Sequence, residues 1–305
     1  MAKVTTFISA LQRWASLGAL ALPLLASAHP GNGIVALSEN SVLTGDAVHN
    51  GLWRFEVGKA PVKLTGVFRF HCHWVTQGRD GKFYAETLSS RGATWTDTVY
   101  RVDPNGTNLA EIATGTEGAF GIFAIGSSSE IIHRSGSGIA SRARGSDLAF
   151  RGGGKVAEGE PSLGDVRAYA WGPGDLLYLV DGPRVRRIGV DGIVRLVATI
   201  GGKVTDPLYA GPSNAPCIWG LAVSARGEVF VTVPSNGYVL RVALDGSKNV
   251  IVRNTDGWAA TGVAERGGRI FLLESKTQGN KNYGPRVRML RPDGVIETLG
   301  EAHDQ

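Results

Sequence analysis

The chain has 305 residues, 43% of them hydrophobic and 19% charged, which is enough apolar content to bury a globular core. Its 43 glycines against 2 methionines exclude an architecture of long helices, because glycine loses the most backbone freedom on ordering. The net charge of +5 is scattered, densest at Arg184, Arg186 and Arg187, so the concentrated basic stripe of a nucleic-acid binder is missing.

The first 28 residues read as a secretory leader. Lys3 and Arg13 precede or open an apolar run from Trp14 to Leu25, which ends in the small-x-small sequence Ala26-Ser27-Ala28. The run falls short of the roughly 20 residues a membrane span needs. Cleavage after Ala28 is predicted, giving a periplasmic or secreted mature chain that begins at His29. Losing Lys3 and Arg13 takes its charge from +5 to about +3. No later segment approaches transmembrane length, and residues 29–305 are expected to form one domain and a monomer.

From residue 33 onward one phrase recurs: an apolar strand, a turn, an aromatic-rich strand, a loop, a strand ending Arg-apolar, then Asp-Gly. Second-strand copies are Val42-Leu43, Phe83-Tyr84, Ile131-Ile132, Leu177-Tyr178, Val229-Phe230 and Ile270-Phe271. Their second residues stand 41, 48, 46, 52 and 41 residues apart, the beat of four-stranded blades. A second anchor keeps the same phase. Arg101-Val102, Arg187-Ile188, Arg241-Val242 and Met289-Leu290 each lie four residues before Asn105-Gly106, Asp191-Gly192, Asp245-Gly246 and Asp293-Gly294. Such dipeptides suit tight hairpins that need positive φ. The prediction is an all-β fold, a six-bladed β-propeller of four-stranded antiparallel blades. The Gly/Ser/Arg-rich stretch from Ser135 to Ser162 breaks the pattern in blade three, since it lacks the Asp-Gly turn.

The phrases Gly174-Asp175-Leu176-Leu177-Tyr178-Leu179-Val180-Asp181, Val185-Arg186-Arg187-Ile188 and Asp191-Gly192-Ile193-Val194 resemble the NHL repeat, as do the stretches 226–252 and 268–299. The likeness extends to the gluconolactonase and strictosidine-synthase-like propellers. It implies a closed ring around a channel, with a binding surface at one end. It implies no single chemistry, because propellers host lyases, lactonases and pure binding modules.

Histidines carry the clearest chemical signal. His71 and His73 frame Cys72 on a predicted strand, so alternation places both imidazoles on one face, a spacing that suits a transition metal or a hydrogen-bonded pair. As a mature N-terminus, His29 offers an α-amine and an imidazole. With a third nitrogen from His71 or His73 this resembles the histidine brace of copper proteins, and Pro30 removes the amide that a competing copper mode needs. Glu86, Asp181 and Glu274 end their second strands, and repeat symmetry predicts a ring of carboxylates for calcium, or a set of turn caps. Glu86 is the carboxylate partner expected beside His71 and His73. Arg167, Tyr169, Trp219 and Trp258 fall near inner strands, where the first three are expected to hold an anionic or aromatic ligand, or pack as core. His49, His133 and His303 are read as surface or structural. Cys72 and Cys217 fall in blades two and five, across the ring, which favours free thiols.

Walker, dinucleotide, Gly-x-Ser-x-Gly and His-Glu-x-x-His motifs are absent from the sequence. Two functions fit: a binding or scaffold module, with copper at His29, His71 and His73, and a metal-dependent lactonase-like hydrolase or lyase. The partner is an unidentified small molecule or protein at the channel mouth.

Overall fold

Strands sandwiched between two neighbours need apolar residues on both faces, and the middle strands of this chain have them. Leu177–Asp181 and Val229–Val233 are buried at every position, whereas the peripheral strand Lys248–Arg253 is largely exposed. The computed structural model describes residues 31–64, 71–91, 94–105, 108–116, 120–135, 138–142, 156–189, 191–279 and 281–302.

Six antiparallel sheets follow one another along the chain, each built from consecutive strands. Sheet 1 holds β1 (Ile34–Ser38), β2 (Ser41–Asp46), β3 (Gly51–Glu56) and β4 (Val62–Lys63). Sheet 2 holds β5 (His71–Gln77), β6 (Phe83–Arg91), β7 (Thr94–Val102) and β8 (Leu109–Thr116). Sheet 3 holds, among the described residues, β9 (Phe123–Ile125), β10 (Ile131–Ser135) and β11 (Gly138–Arg142). Sheet 4 holds β12 (Val166–Trp171), β13 (Leu177–Asp181), β14 (Arg184–Ile188) and β15 (Val194–Thr199). Sheet 5 holds β16 (Gly220–Val223), β17 (Val229–Val233), β18 (Tyr238–Val242) and β19 (Lys248–Arg253). Sheet 6 holds β20 (Ala259–Arg266), β21 (Arg269–Gln278), β22 (Lys281–Leu290) and β23 (Ile296–Glu301).

The expectation of six four-stranded blades is therefore corrected to five, with a three-stranded third sheet. Past β11, the next described residues serve the neighbouring sheet. Val156 bridges Val194, the Ala157 amide donates to the Val194 carbonyl at 2.9 Å, and the Leu196 amide donates to Glu160 at 2.8 Å. The end of the stretch that lacks an Asp-Gly turn, residues 156–160, thus lies along the edge of sheet 4. The regular blades use the turns the sequence announced: Gly192 has φ +73°, and the Asp191 carboxylate accepts from the Ile193 amide at 3.0 Å.

The first strands β1, β5, β9, β12, β16 and β20 pack in that order around a central channel, and β20 packs back on β1. Among the described residues no strand is shared at the closure. Side chains close the ring instead, through a cluster joining Val42 and Phe55 to Phe271 and Val287. The Arg269 guanidinium adds a bond to the Glu39 carbonyl at 2.8 Å. Each buried Val, Leu or Phe in such a layer contributes about 1.5–3 kcal/mol. Cys72 and Cys217 are buried free thiols, as their place in the ring suggested.

Sheet 3 is set behind two tryptophans. Trp74 on β5 donates its indole N–H to the Phe123 carbonyl at 2.7 Å, and Trp171 on β12 donates to the Ile125 carbonyl at 2.8 Å. These bonds give the short β9 partners on both sides.

Candidate functional site

Antiparallel pairing puts the start of each first strand beside the end of its second strand, and these ends form the upper rim of the ring. Two hairpins extend there. β6 and β7 pair over nine residues each and β21 and β22 run for ten, against five in β13 and β17. Both flank sheet 1.

At the foot of the β6–β7 hairpin, β5 opens with an irregularity in its pairing. His71 lies opposite Leu88 but Trp74 lies opposite Glu86, so an extra residue sits between them. The His71 and His73 rings stack in parallel, with centroids 6.0 Å apart and an interplanar angle of 6°. Trp95, on the hairpin, tilts over His71 at 6.2 Å. His71 Nδ1 lies 2.6 Å from the Ala47 carbonyl. A carbonyl only accepts, so Nδ1 carries the proton and neutral His71 keeps its lone pair on Nε2.

Behind His73 lies a buried acid pair. Glu86, 2% exposed, accepts from the His73 amide at 3.4 Å and has its Oε2 3.5 Å from His73 Nδ1. Asp97 on β7, also 2% exposed, shares a side-chain hydrogen bond with Glu86 and accepts from the Phe120 amide at 3.3 Å. Burial first, and the Asp97 charge next, hold the Glu86 carboxyl well above the usual range. Its proton is what lets it donate to Asp97. Burial pushes the His73 imidazole down, so it is neutral near pH 7, while the Asp97 charge acts in the opposite direction. Phe120 carries the cluster on to His133, which is buried in sheet 3 and meets the Phe120 ring edge-on at 5.9 Å.

The other carboxylates do not converge with Glu86. Asp181 faces the layer between sheets 3 and 4, where it meets the fully buried Arg186 at 3.0 Å and accepts from the Gly164 amide at 2.8 Å. Glu274 faces sheet 5 and is held by Arg286 at 2.7 Å and by Arg288. The physical reason is phase. Pairing makes Glu86 equivalent to Val180 and Leu273, one residue out of step with Asp181 and Glu274, and one step along a strand turns a side chain to the other face. The expected calcium ring of Glu86, Asp181 and Glu274 is not assembled, and no cluster of three metal-ligating side chains occurs among the described residues.

His29 lies outside the described residues, and so does His303. Arg167 and Trp219 meet, with the guanidinium 5.5 Å from the indole ring, and Arg167 is paired to Asp165 at 2.5 Å. Tyr169 does not join them. The Gly31–Gly33 segment lies between: the Asn32 amide group donates to the Arg167 and Trp219 carbonyls, each at 3.0 Å, and its backbone N–H donates to the His73 carbonyl at 3.3 Å. On its other side, the Gly31 carbonyl accepts from Thr261 at 3.0 Å. A residue entering sheet 1 thus ties sheets 2, 4 and 5 across the channel. Arg167 and Trp219 sit at this crossbar and Tyr169 lines the channel beyond it. Trp258 stacks under Arg286 at 4.1 Å, in the Glu274 group. Asp97 belongs to the candidate site although sequence reading passed it over, while His133, read as surface or structural, is buried in sheet 3 and reaches the site only through Phe120. The only hint was a lone acid in the Thr-rich strand Thr94–Val102, because cross-strand partners carry no spacing signature.

No family model matches the chain, and no curated protein matches it. Solved structures match across most of its length. A catalytically inactive virginiamycin B lyase from Staphylococcus aureus with quinupristin aligns with a TM-score of 0.52 and 12% identity over 90% of this chain and 85% of that one. A gluconolactonase from Xanthomonas campestris gives 0.53 and 13%, over 84% and 86%. The calcium-binding protein regucalcin from Agrobacterium tumefaciens gives 0.52 and 15%, over 82% and 83%. At such identities the likeness shows the β-propeller fold alone.

Proposed function

We propose that the chain is a lactonase- or lyase-type propeller enzyme that moves a proton on a small molecule bound at the upper mouth, with His73 as the proton-transfer group. The observation that carries this reading is the stack of His71 and His73 under the long β6–β7 hairpin, backed by the buried Glu86–Asp97 pair. A neutral imidazole takes up a proton, and the Asp97 charge behind it favours the imidazolium that results. Trp95 supplies an apolar wall beside the stack. The kinds of reaction carried out by the similar propellers, a gluconolactonase and a virginiamycin B lyase, support this class of chemistry. Turnover of gluconolactone and of quinupristin by the wild type and by His73→Ala tests it. The expected result is turnover of one of them that drops about 10²–10⁴-fold in the variant. Full activity in His73→Ala, or no turnover of either compound by the wild type, overturns the reading.

A second reading is a copper-binding propeller with NHL-type blades, exported and beginning at His29. The two parallel imidazoles favour it, since the Nε2 lone pair of His71 is left for a ligand. His29 would supply the third nitrogen, and Cu(II) is the ion that N-rich sites favour. Intact mass and metal content of the isolated protein test this reading. A chain that starts elsewhere, or takes up no copper, removes it.

A further inference from the structure

The channel does not end at the crossbar. Beyond Asn32 a cavity of about 850 Å³ runs to the lower rim, within the range of small-molecule pockets. Its walls are the apolar edges of β1, β5, β12, β16 and β20, and the tryptophans Trp74 and Trp171 cover the side where β9 is short. Three arginines stand at its lower rim: Arg79, Arg226 and Arg266. Arg79 lies over the Trp171 ring at 5.1 Å and is paired with Asp175. Arg266 donates to the Ala36 carbonyl at 3.2 Å. Arg226 is exposed and has no carboxylate partner among the described residues. The acids at this rim are already engaged, Glu228 with Arg241 and Glu265 with the Gly268 amide.

We propose that this lower cavity is a second ligand site, separate from the histidine mouth, for a small planar anion such as an aromatic carboxylate or sulfonate. The flat ring lies against Trp171 and the apolar walls, and the anionic group meets Arg226 and Arg266. Arg226 and Arg266 select charge, and the depth set by Asn32 limits length. The crossbar keeps the two sites apart, so occupancy of one does not require the other.

Isothermal titration of the full chain with naphthalene-2-sulfonate, and with the neutral naphthalene-2-sulfonamide, tests the proposal. The expected result is saturable one-to-one binding of the sulfonate and about tenfold weaker binding of the sulfonamide. The double variant Arg226→Gln/Arg266→Gln should weaken the sulfonate about tenfold, the loss of one strong charge-assisted contact. Arg226 is exposed, so Arg226→Gln alone leaves a folded protein if the double variant does not fold, and it should weaken binding in the same direction. Absence of saturable binding, equal affinity for the two compounds, or sulfonate affinity unchanged in Arg226→Gln would overturn it.

Discussion

Sheets 2 and 6 place a buried glutamate at the same end of their second strand, below the two long hairpins of the molecule, and treat it in opposite ways. Glu274 is fully buried and is clamped by two guanidinium groups, Arg286 and Arg288, the first of them stacked on Trp258. Glu86 has no arginine partner among the described residues. It meets a second acid, Asp97, and the imidazole of His73. A carboxylate between guanidiniums is held by charge-assisted hydrogen bonds and serves the fold. A carboxyl beside another acid must share a proton, and its proton becomes mobile chemistry. The difference lies in the third strand, where β22 offers Arg286 and Arg288 and β7 offers Asp97 and Val99. Location in the repeat alone therefore does not decide function.

The largest effect is expected from breaking the clamp. Arg288→Ala leaves Glu274 buried with a single cation, and should cost about 3–5 kcal/mol in urea unfolding. A loss under about 1 kcal/mol would mean that Arg286 suffices and that the clamp is not the stabilising unit. Next comes the crossbar. Asn32→Ala strands the Arg167 and Trp219 carbonyls and should cost about 1–3 kcal/mol by the same measurement. It should also join the upper mouth to the lower cavity, so that naphthalene-2-sulfonate competes with a ligand at the mouth.

The smallest effect sharpens the comparison most, because it depends on pH. Folding raises the Glu86 pKa, so the folded chain holds a proton that the unfolded chain releases above about 4.3. This contribution to stability is full below the unfolded value and is lost as pH rises towards the folded one. Glu86→Gln imitates the protonated acid: its amide donates to Asp97 and its oxygen accepts from the His73 amide. Relative to wild type, the variant should gain stability as pH rises from about 5 to about 8. His73 runs the other way. Its lowered pKa gives stability that is present above about 6.5 and falls as pH drops through the folded value. His73→Phe should therefore flatten the acid side of the stability profile. A variant profile parallel to wild type in either case would break the contrast drawn between the two sheets.

Much of this fold was legible in the sequence. The six aromatic or apolar pairs chosen as second strands all lie in second strands, from Val42-Leu43 in β2 to Ile270-Phe271 in β21. Repetition made them visible, because one physical demand, burial on both faces, is written six times. The exceptions are the features that repetition does not write. Sheet 3 has three strands among the described residues, and residues 156–160 lie beside sheet 4. Glu86 looked equivalent to Asp181 and Glu274, but a one-residue difference in phase sends it to the other face. The pairing of His71 with His73 could be read from strand alternation. Asp97 and His133 reach the same cluster from another strand and another sheet, contacts that no local pattern encodes. Asn32 acts once, outside any repeat, and the partners of its side chain lie more than a hundred residues away.

That sheet 2 keeps a protonated carboxyl where sheet 6 keeps an ion pair is read out by carbon-13 NMR of the glutamate carboxyl groups. The protein would be labelled at that carbon and titrated from about pH 4 to about pH 9, in wild type and in Glu86→Gln. The account predicts one carboxyl that stays in its protonated form well above the usual glutamate range and whose signal is missing from the variant. If every glutamate carboxyl in the wild type titrates at or below about 4.3, Glu86 holds no such proton and the account is contradicted.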